Sequence, residues 1–571
     1  MNEFDEADID TLSVIEERAD YVTEEIIKNN TVSSGLFYNR IHNALISTGI
    51  KLIVGPRGCG KTHLMRYAWV ECKNDDSYPL PIYVSFNKYF KLEPLLKSKP
   101  NAIDLFHKWV LSKILLSAYD IACEIEEDNN LELSSILITD KDFLSNLINR
   151  LEQGLSPSFS QESVVENISV SAVIESIHNL CDWLERKRVI ILLDDAAISL
   201  TPEYLYEFFD IVRSLKTPRI ALKASVYPGT TEYGPKFHVA HDAETVDAWI
   251  SSDDVNYSNI MESIALARFE NYNSINKDIR ELFKYAAFGI PRSFLMMLRD
   301  YEKSDGITAQ QKFNKIIEKY VELRLSEYNS LKDKLPRFAG IVNIGENLLL
   351  KSVELLKDAN SNTHHEKQVI LGVEKNNNTF FSRMLRLLVE TGLLYRLPDI
   401  SHGDARMYER YIPHYALLIK EKVFSESSRG FSPSQITSYI LRKNAKHPIR
   451  RSMTSLLSSE QINNLKLTLP PCGNCNASRL TENQKYCHQC GSQLIAESAY
   501  NQCMSIPLSK IPHLTVWQTN KLAELDNLKT IGDVLSLQDP GSELRKISRI
   551  GPVKANKIIT KILFHVEEYL S

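Results

Sequence analysis

The eight residues Gly55-Pro56-Arg57-Gly58-Cys59-Gly60-Lys61-Thr62 restrict this chain more than any other stretch. They fit the pattern G-x-x-x-x-G-K-[ST], with the run Lys51-Leu52-Ile53-Val54 before them and His63-Leu64-Met65-Arg66-Tyr67-Ala68 after them. A buried strand, a Gly-rich turn and a helix in that order aim backbone N–H groups and a helix N-terminus at one point, where phosphate oxygens can sit. Lys61 would neutralise the β- and γ-phosphates, and the Thr62 hydroxyl would ligate Mg²⁺. The expectation is an α/β fold that binds a nucleotide.

At 571 residues the chain exceeds one ordinary core, and length suggests about three to five domains. Residues that are 43% hydrophobic and 24% charged argue against large-scale disorder. The net charge of −5 conceals an asymmetry. The start is acidic (Glu3, Asp5, Glu6, Asp8, Asp10, Glu16, Glu17), whereas the end carries Arg545, Lys546, Arg549, Lys554, Lys557 and Lys561. An acidic start is unlike a signal peptide, and no apolar run nears the ~18–20 residues that span a bilayer. Of nine Cys, four form two C-x-x-C pairs and the rest are scattered, which fits a reducing compartment and one metal site. The expected location is the cytoplasm, with no membrane partner.

Residues 1–35 read as an acidic helix or tail. From residue 36 strands and helices alternate. Leu80–Phe86 reads as a strand, and 102–126, 141–152 and 171–186 carry apolar residues at helical spacing, with a Ser-rich loop over 153–170. Val189-Ile190-Ile191-Leu192-Leu193-Asp194-Asp195 is an apolar run ending in two acids, the pattern of a central parallel strand with carboxylates at its ligand-binding tip. Asp194 would hold Mg²⁺ through water and Asp195 would polarise an attacking water. Arg219–Val226 supplies another strand, with Ser225 placed to orient that water. Gly289-Ile290-Pro291-Arg292 joins two helical patterns, with Gly as cap, Pro at the first helical position and Arg in the first turn. An Arg fixed there could reach the γ-phosphate.

These four motifs in this order resemble an AAA+ ATPase, most closely the branch of the origin-recognition initiators, whose sensor-2 motif is G-x-P-R. The resemblance implies an α/β core at 36–245, a helical lid at 246–330, and ATP rather than GTP. It implies catalytic roles for Lys61, Asp194, Asp195, Ser225 and Arg292. Nucleotide would be bound by Gly55, Pro56, Arg57, Gly58, Cys59, Gly60, Lys61 and Thr62, and Mg²⁺ by Thr62 and Asp194. Asp195 stands where Glu is usual, which resembles the STAND signalling ATPases and implies slow, switch-like hydrolysis. No motif places an arginine finger; Arg213 is the candidate.

Residues 331–425 read as helices followed by a β-hairpin, Leu393–Leu397 and Met407–Ile412, bridged by the polar turn 398–405. That order resembles a winged helix, with Arg383 and Arg386 toward DNA and Arg406 and Arg410 around the wing. Residues 426–470 read as a connector with a basic cluster (Arg442, Lys443, Lys446, His447, Arg450, Arg451). Cys472, Cys475, Cys487 and Cys490 have the spacing of two knuckles closing a tetrahedral structural Zn²⁺ site, so 471–495 is read as a zinc ribbon. Residues 500–571 resemble a helix-hairpin-helix domain that binds DNA phosphates through backbone N–H groups. Gly551 matches its second glycine, Arg549 replaces the first, and Lys554 and Lys557 lie beside them.

Two leading functions fit this set, beside a third, a scaffold that binds ATP structurally and hydrolyses little. One is an ATP-dependent DNA-binding ATPase, in which ATP binding and slow hydrolysis gate engagement of duplex DNA, with weak sequence preference, or self-assembly through the ATPase core. The other is a STAND-like switch, for example in antiviral defence, whose C-terminal modules sense a protein or nucleic acid. A protein partner encoded nearby is an expectation of either. Nothing in the chain suggests a nuclease, protease or polymerase site.

Overall fold

The computed structural model describes residues 19–570 except 20–21, 33–34, 87–91, 93–98, 127–129, 160, 196–200, 305–307, 362–366, 404–405, 425–431, 442–447, 482–483, 485, 493, 495–498, 512–513, 526–527 and 538. The acidic residues Glu3 to Glu17 and the connector residues Arg442, Lys443, Lys446 and His447 lie outside the described residues.

Apolar runs with no polar alternation need cover on both sides, and they form the centre of a parallel sheet. The elements run α1 (Glu24–Asn29), α2 (Leu36–Ile46), β1 (Ile50–Val54), α3 (Lys61–Asn74), β2 (Leu80–Ser85), α4 (Ala102–Ile125), α5 (Lys141–Glu152), α6 (Val170–Trp183), β3 (Val189–Asp194), α7 (Pro202–Leu215), β4 (Ile220–Val226) and β5 (Ala243–Asp247). The strand order is β2-β3-β4-β1-β5, every pair is parallel, and β3 and β4 are buried throughout. Alternation divides the strands between two faces. Ile53, Ile190 and Leu192 pack with Ile41, Leu45 and Met65 of α2 and α3. Leu52, Ile191 and Leu193 face the other way, toward Trp109 of α4 and Phe208 of α7.

Two features of this sheet depart from the sequence pattern. β5 is an edge strand of Ala-Glu-Thr-Val-Asp, too polar to signal itself, whose register along β1 runs from Ile50↔Ala243 to Val54↔Asp247. Lys223 sits in the middle of β4, wholly buried, and its Nζ donates to the carbonyls of Ser47 (2.7 Å) and Gly49 (3.0 Å). Burial, then repulsion from Lys51, pulls its ammonium down to about 7. The stretch 153–170, expected to be a loop, contains a short helix, Glu162–Asn167. Its Ser-rich flanks mask that single turn and a half.

Beyond the sheet follow α8 (Tyr257–Arg268), α9 (Lys277–Ala286), α10 (Pro291–Lys303), α11 (Ala309–Lys334), α12 (Ala339–Asn360), β6 (Leu371–Glu374), α13 (Thr379–Glu390), β7 (Leu394–His402), β8 (Arg406–Pro413), α14 (Tyr415–Lys420) and β9 (Ile449–Arg451). They share a second core that includes Phe294, Tyr320, Leu348 and Leu387. A reciprocal capping box, Thr308 with Gln311, opens α11. The expected hairpin is present, and both strands are longer than the apolar runs suggest. Its sheet has order β7-β8-β6-β9, and β9, from the stretch read as a connector, pairs in parallel with β6. Three residues, two of them Arg, give no alternation to read.

After the cysteine pairs come α15 (Ala499–Ser505), α16 (Val516–Leu522), α17 (Ile531–Leu535), α18 (Pro540–Leu544) and α19 (Pro552–Leu570). They bury Cys503, Leu508, Ile531, Ile558 and Ile562. α15 packs on α11, and the Lys334 ammonium lies over the Tyr569 ring. Among the described residues no helix is long and apolar enough to cross a membrane.

Candidate functional site

Parallel pairing brings the C-terminal ends of β1, β3 and β4 to one edge, and the residues after each end meet there. The turn after β1 uses left-handed backbone at Gly58 (φ 79°) and Gly60 (φ 98°), conformations that cost an L side chain about 1–2 kcal/mol. Cys59 is buried beneath the turn, and burial pushes its thiol up. Lys61, only 6% exposed, folds back over the turn. Its Nζ donates to the carbonyls of Gly55 (2.7 Å) and Pro56 (3.2 Å) and stands 4.0 Å from the centre of the Tyr227 ring. An ammonium held by carbonyls and a π-face can exchange them for phosphate oxygens.

Asp194 is buried at the tip of β3. Its Oδ2 accepts the Tyr83 hydroxyl from β2 (2.9 Å), and its Oδ1 accepts the N–H of Asp195 (3.0 Å). The same N–H donates to Ser225 Oγ on β4 (2.9 Å). Asp195 has φ 52°, a left-handed conformation that Asp tolerates better than most residues. Ser225 therefore meets the backbone of Asp195, a contact that sequence spacing alone does not reveal.

Arg292 is the second residue of α10, directly after Pro291. Its N–H donates to Gly58 O (3.3 Å), and a Cβ on Gly58 would lie 3.0 Å from Arg292 Cβ and 3.2 Å from Ile290 Cγ2. The turn and α10 are thus in direct contact. Arg213, in the last turn of α7, bonds Asp210 (3.1 Å) and is 44% exposed.

Three contributors escape the sequence reading. Tyr83 and Tyr227 are ordinary strand-end aromatics in sequence, and only the fold aims them at Asp194 and Lys61. The third is a strap around α3. His63 Nε2 lies 2.7 Å from Thr31 Oγ1, and Arg268 Nη2 of α8 lies 3.1 Å from His63 Nδ1. Arg66 donates to the carbonyl of Val22 (3.0 Å). Burial, then Arg268 and Arg66, pulls the His63 imidazole down to about 3, so the ring is neutral. Nδ1 accepts from Arg268 and Nε2–H donates to Thr31.

The sulfurs of Cys472, Cys475, Cys487 and Cys490 all lie within 4.8 Å of one another. The pairs Cys472–Cys490 and Cys475–Cys487 are each 3.5 Å apart. Zn–S bonds of ~2.3 Å in a tetrahedron imply S···S edges of roughly 3.8 Å, so this donor set fits Zn²⁺. Each knuckle closes on itself: Asn476 N–H donates to Cys472 O (2.8 Å) and Gly491 N–H to Cys487 O (3.0 Å).

The candidate DNA contacts lie in two places. On α13, Arg386 is exposed, but Arg383, expected to face DNA, bonds Glu232 of the loop after β4 (3.0 Å). Helical periodicity gave no sign of that partner. Arg410 donates to Pro398 O (2.7 Å), and Arg406 is exposed. In the tail, Arg549 takes φ 73°, supplying the left-handed turn expected of a glycine. Gly551 has nothing within 4 Å of an added Cβ, so the face entering α19 is open. The ammonium of Lys554 lies 4.7 Å from the Trp517 ring centre, and Lys557 is half-buried on the same helix.

A family model described as ORC-CDC6-like matches residues 16–377. A solved structure, the Aeropyrum pernix Orc1 protein in complex with DNA, aligns with 70% of this chain and 95% of its own at 14% identity and a TM-score of 0.27. No curated protein matches the sequence.

Proposed function

The chain belongs to the ORC-CDC6-like family of AAA+ ATPases, and on that premise we propose that it is a DNA-binding ATPase whose hold on DNA is set by its nucleotide. The observation that carries this reading is the convergence on one sheet edge of Lys61, the Asp194–Asp195–Ser225 cluster and the Arg292 end of α10. Gly55 to Thr62 would receive the phosphates, with Lys61 releasing the Gly55 and Pro56 carbonyls to do so. Thr62 and Asp194 would hold Mg²⁺, which offsets the charge on the transferring phosphoryl group. Asp195 acts as the carboxylate for the attacking water, and Ser225 fixes the Asp195 backbone. Arg292 reports the γ-phosphate through its contact with Gly58. Asp195 is one methylene shorter than Glu, which favours slow turnover.

In this reading 36–245 is the core, 246–330 the lid and 331–425 a winged helix, with a zinc ribbon at 471–495 and a helix-hairpin-helix tail at 500–571. Duplex DNA is taken through phosphate contacts from Arg383, Arg386, Arg549, Gly551, Lys554 and Lys557, without base reading. The test is anisotropy of a labelled duplex with the full chain over a range of salt. Replacing Lys554 and Lys557 together by Glu should weaken binding and reduce the slope of log K against log[salt] by about two. A wild-type chain that binds no duplex at low salt would refute the DNA assignment and leave the STAND-like switch.

A further inference from the structure

Helix α13 is fastened to the loop after β4 at two points. At its C-terminal end Glu390, 8% exposed, accepts three donors from the loop after β4. Oε2 takes the N–H of Gly229 (2.8 Å) and of Thr230 (2.7 Å), and Oε1 takes the Thr230 hydroxyl (2.9 Å). Approach is so close that a Cβ on Gly229 would stand 2.8 Å from the Leu387 backbone. Just past the helix, a Cβ on Gly392 would meet Ile290 at 2.9 Å and Pro56 at 3.7 Å, so this corner also touches the phosphate turn and the Gly289–Arg292 motif. Two turns earlier, Arg383 is held by Glu232 (3.0 Å), which also takes Arg337 (3.3 Å).

The loop that receives α13 is the one that positions Lys61. Tyr227 N–H donates to Thr231 Oγ1 (2.9 Å), and the Tyr227 ring lies against the Lys61 ammonium. A cavity of about 60 Å³ between Arg57, Tyr227, Thr230, Lys334 and Glu390 leaves these side chains room to move. The chemistry of the joint is also unusual. Its carboxylate is met by two amides and a hydroxyl and, among the described residues, is bonded to no cation, although the Arg57 guanidinium lies near enough to favour its charge and burying a carboxylate is costly. An apolar residue would pack there without that cost. Water can replace all three donors, so opening the joint leaves no polar group of it unpaired.

We propose that the Glu390 joint is a latch that withholds α13 from DNA until ATP engages Lys61. Glu390 is its positioning residue. The inference rests on the function proposed above. In the latched arrangement Lys61 holds the Gly55 and Pro56 carbonyls and the Tyr227 ring, and Arg383 is occupied by Glu232. When Lys61 turns to phosphate it leaves Tyr227 and the Pro56 carbonyl, both on residues beside the joint. The loop then yields, Glu390 is released to solvent, and Arg383 joins Arg386 as a phosphate contact. Linkage makes this reciprocal: DNA that captures α13 tightens ATP by the same factor.

The test is duplex affinity of the full, zinc-loaded chain with Mg²⁺, measured without nucleotide and with a slowly hydrolysed ATP analogue. ATP-analogue affinity is measured in parallel. In the wild type the analogue should tighten DNA binding by a factor in the range of about 5–150. Glu390→Ala should bind DNA without nucleotide about as tightly as the loaded wild type does, so that its factor falls to about one. Glu390→Gln should restore the wild-type factor, because one amide oxygen can take both backbone N–H groups while its NH₂ donates to Thr230. Thr230→Val keeps the shape and loses one bond, and should cut the factor at least about twofold. It carries the test if Glu390→Ala does not fold. A wild-type chain that binds neither ATP nor duplex would overturn the underlying function. A wild type that binds both, with the same factor in Thr230→Val and Glu390→Ala or with no coupling at all, would overturn the latch alone.

Discussion

Replacing Gly58 by Ala separates the two demands made on the phosphate turn. At φ 79° an Ala costs about 1–2 kcal/mol in the left-handed region. Its Cβ would also sit 3.0 Å from Arg292 Cβ and 3.2 Å from Ile290 Cγ2, so α10 must give way by a few tenths of an ångström. An empty turn can relax by leaving the left-handed region, whereas a turn that cradles phosphate has to re-enter it. The strain therefore falls on binding. At 1.4 kcal/mol per tenfold, ATP affinity should fall about five- to thirty-fold. Gly49→Ala is the control, with a similar φ of 77° and nothing within 4 Å of the new Cβ. It should lower thermal stability by a comparable strain yet leave ATP affinity within about twofold. Calorimetric titration of Mg-ATP reads both. Unchanged affinity in Gly58→Ala, or equal weakening in Gly49→Ala, would show that strain at Gly58 does not act on phosphate binding.

Three further outcomes are expected. Asp195→Asn should retain ATP binding while steady-state hydrolysis falls by about 10²–10⁴; hydrolysis at the wild-type rate would remove Asp195 from the catalytic role. Native mass spectrometry should show one zinc per chain, lost in Cys475→Ser, with chelation raising amide exchange across 472–492, because zinc binding and folding are one event in such sites. Lys223 has a folded pKa of about 7 against an unfolded value near 10.4. Between those values the unfolded chain holds more protons, so stability rises with pH, by at most about 1.4 kcal/mol per unit. Thermal melts at pH 7 and 9 should therefore show the wild type gaining on Lys223→Met, and an equal response of both would contradict the shift.

The sheet was legible because its central strands are unbroken apolar runs, and Val189–Asp194 and Ile220–Val226 fall where those runs predict. The turn at Gly55–Thr62 was legible as a turn because Gly58 and Gly60 take left-handed backbone that other residues avoid. What the sequence hid were elements whose order comes from neighbours. β5 and β9 are short, polar edge strands stabilised by pairing, and Lys223 interrupts an apolar run because its ammonium finds two carbonyls 176 and 174 residues away. The same holds at the site. Tyr83 meets Asp194 across 111 residues and Glu390 meets Thr230 across 160, and no local pattern encodes such pairs. Arg383 shows the converse: its helical position was readable, but its partner Glu232 was not.

Titration of Mg-ATP into the full chain and into Lys61→Ala is the decisive measurement of nucleotide binding at this turn. One ATP should bind per wild-type chain and none detectably to the variant, whose turn has lost the ammonium now held by the Gly55 and Pro56 carbonyls. Equal binding by the two proteins, or no binding by the wild type, would contradict it.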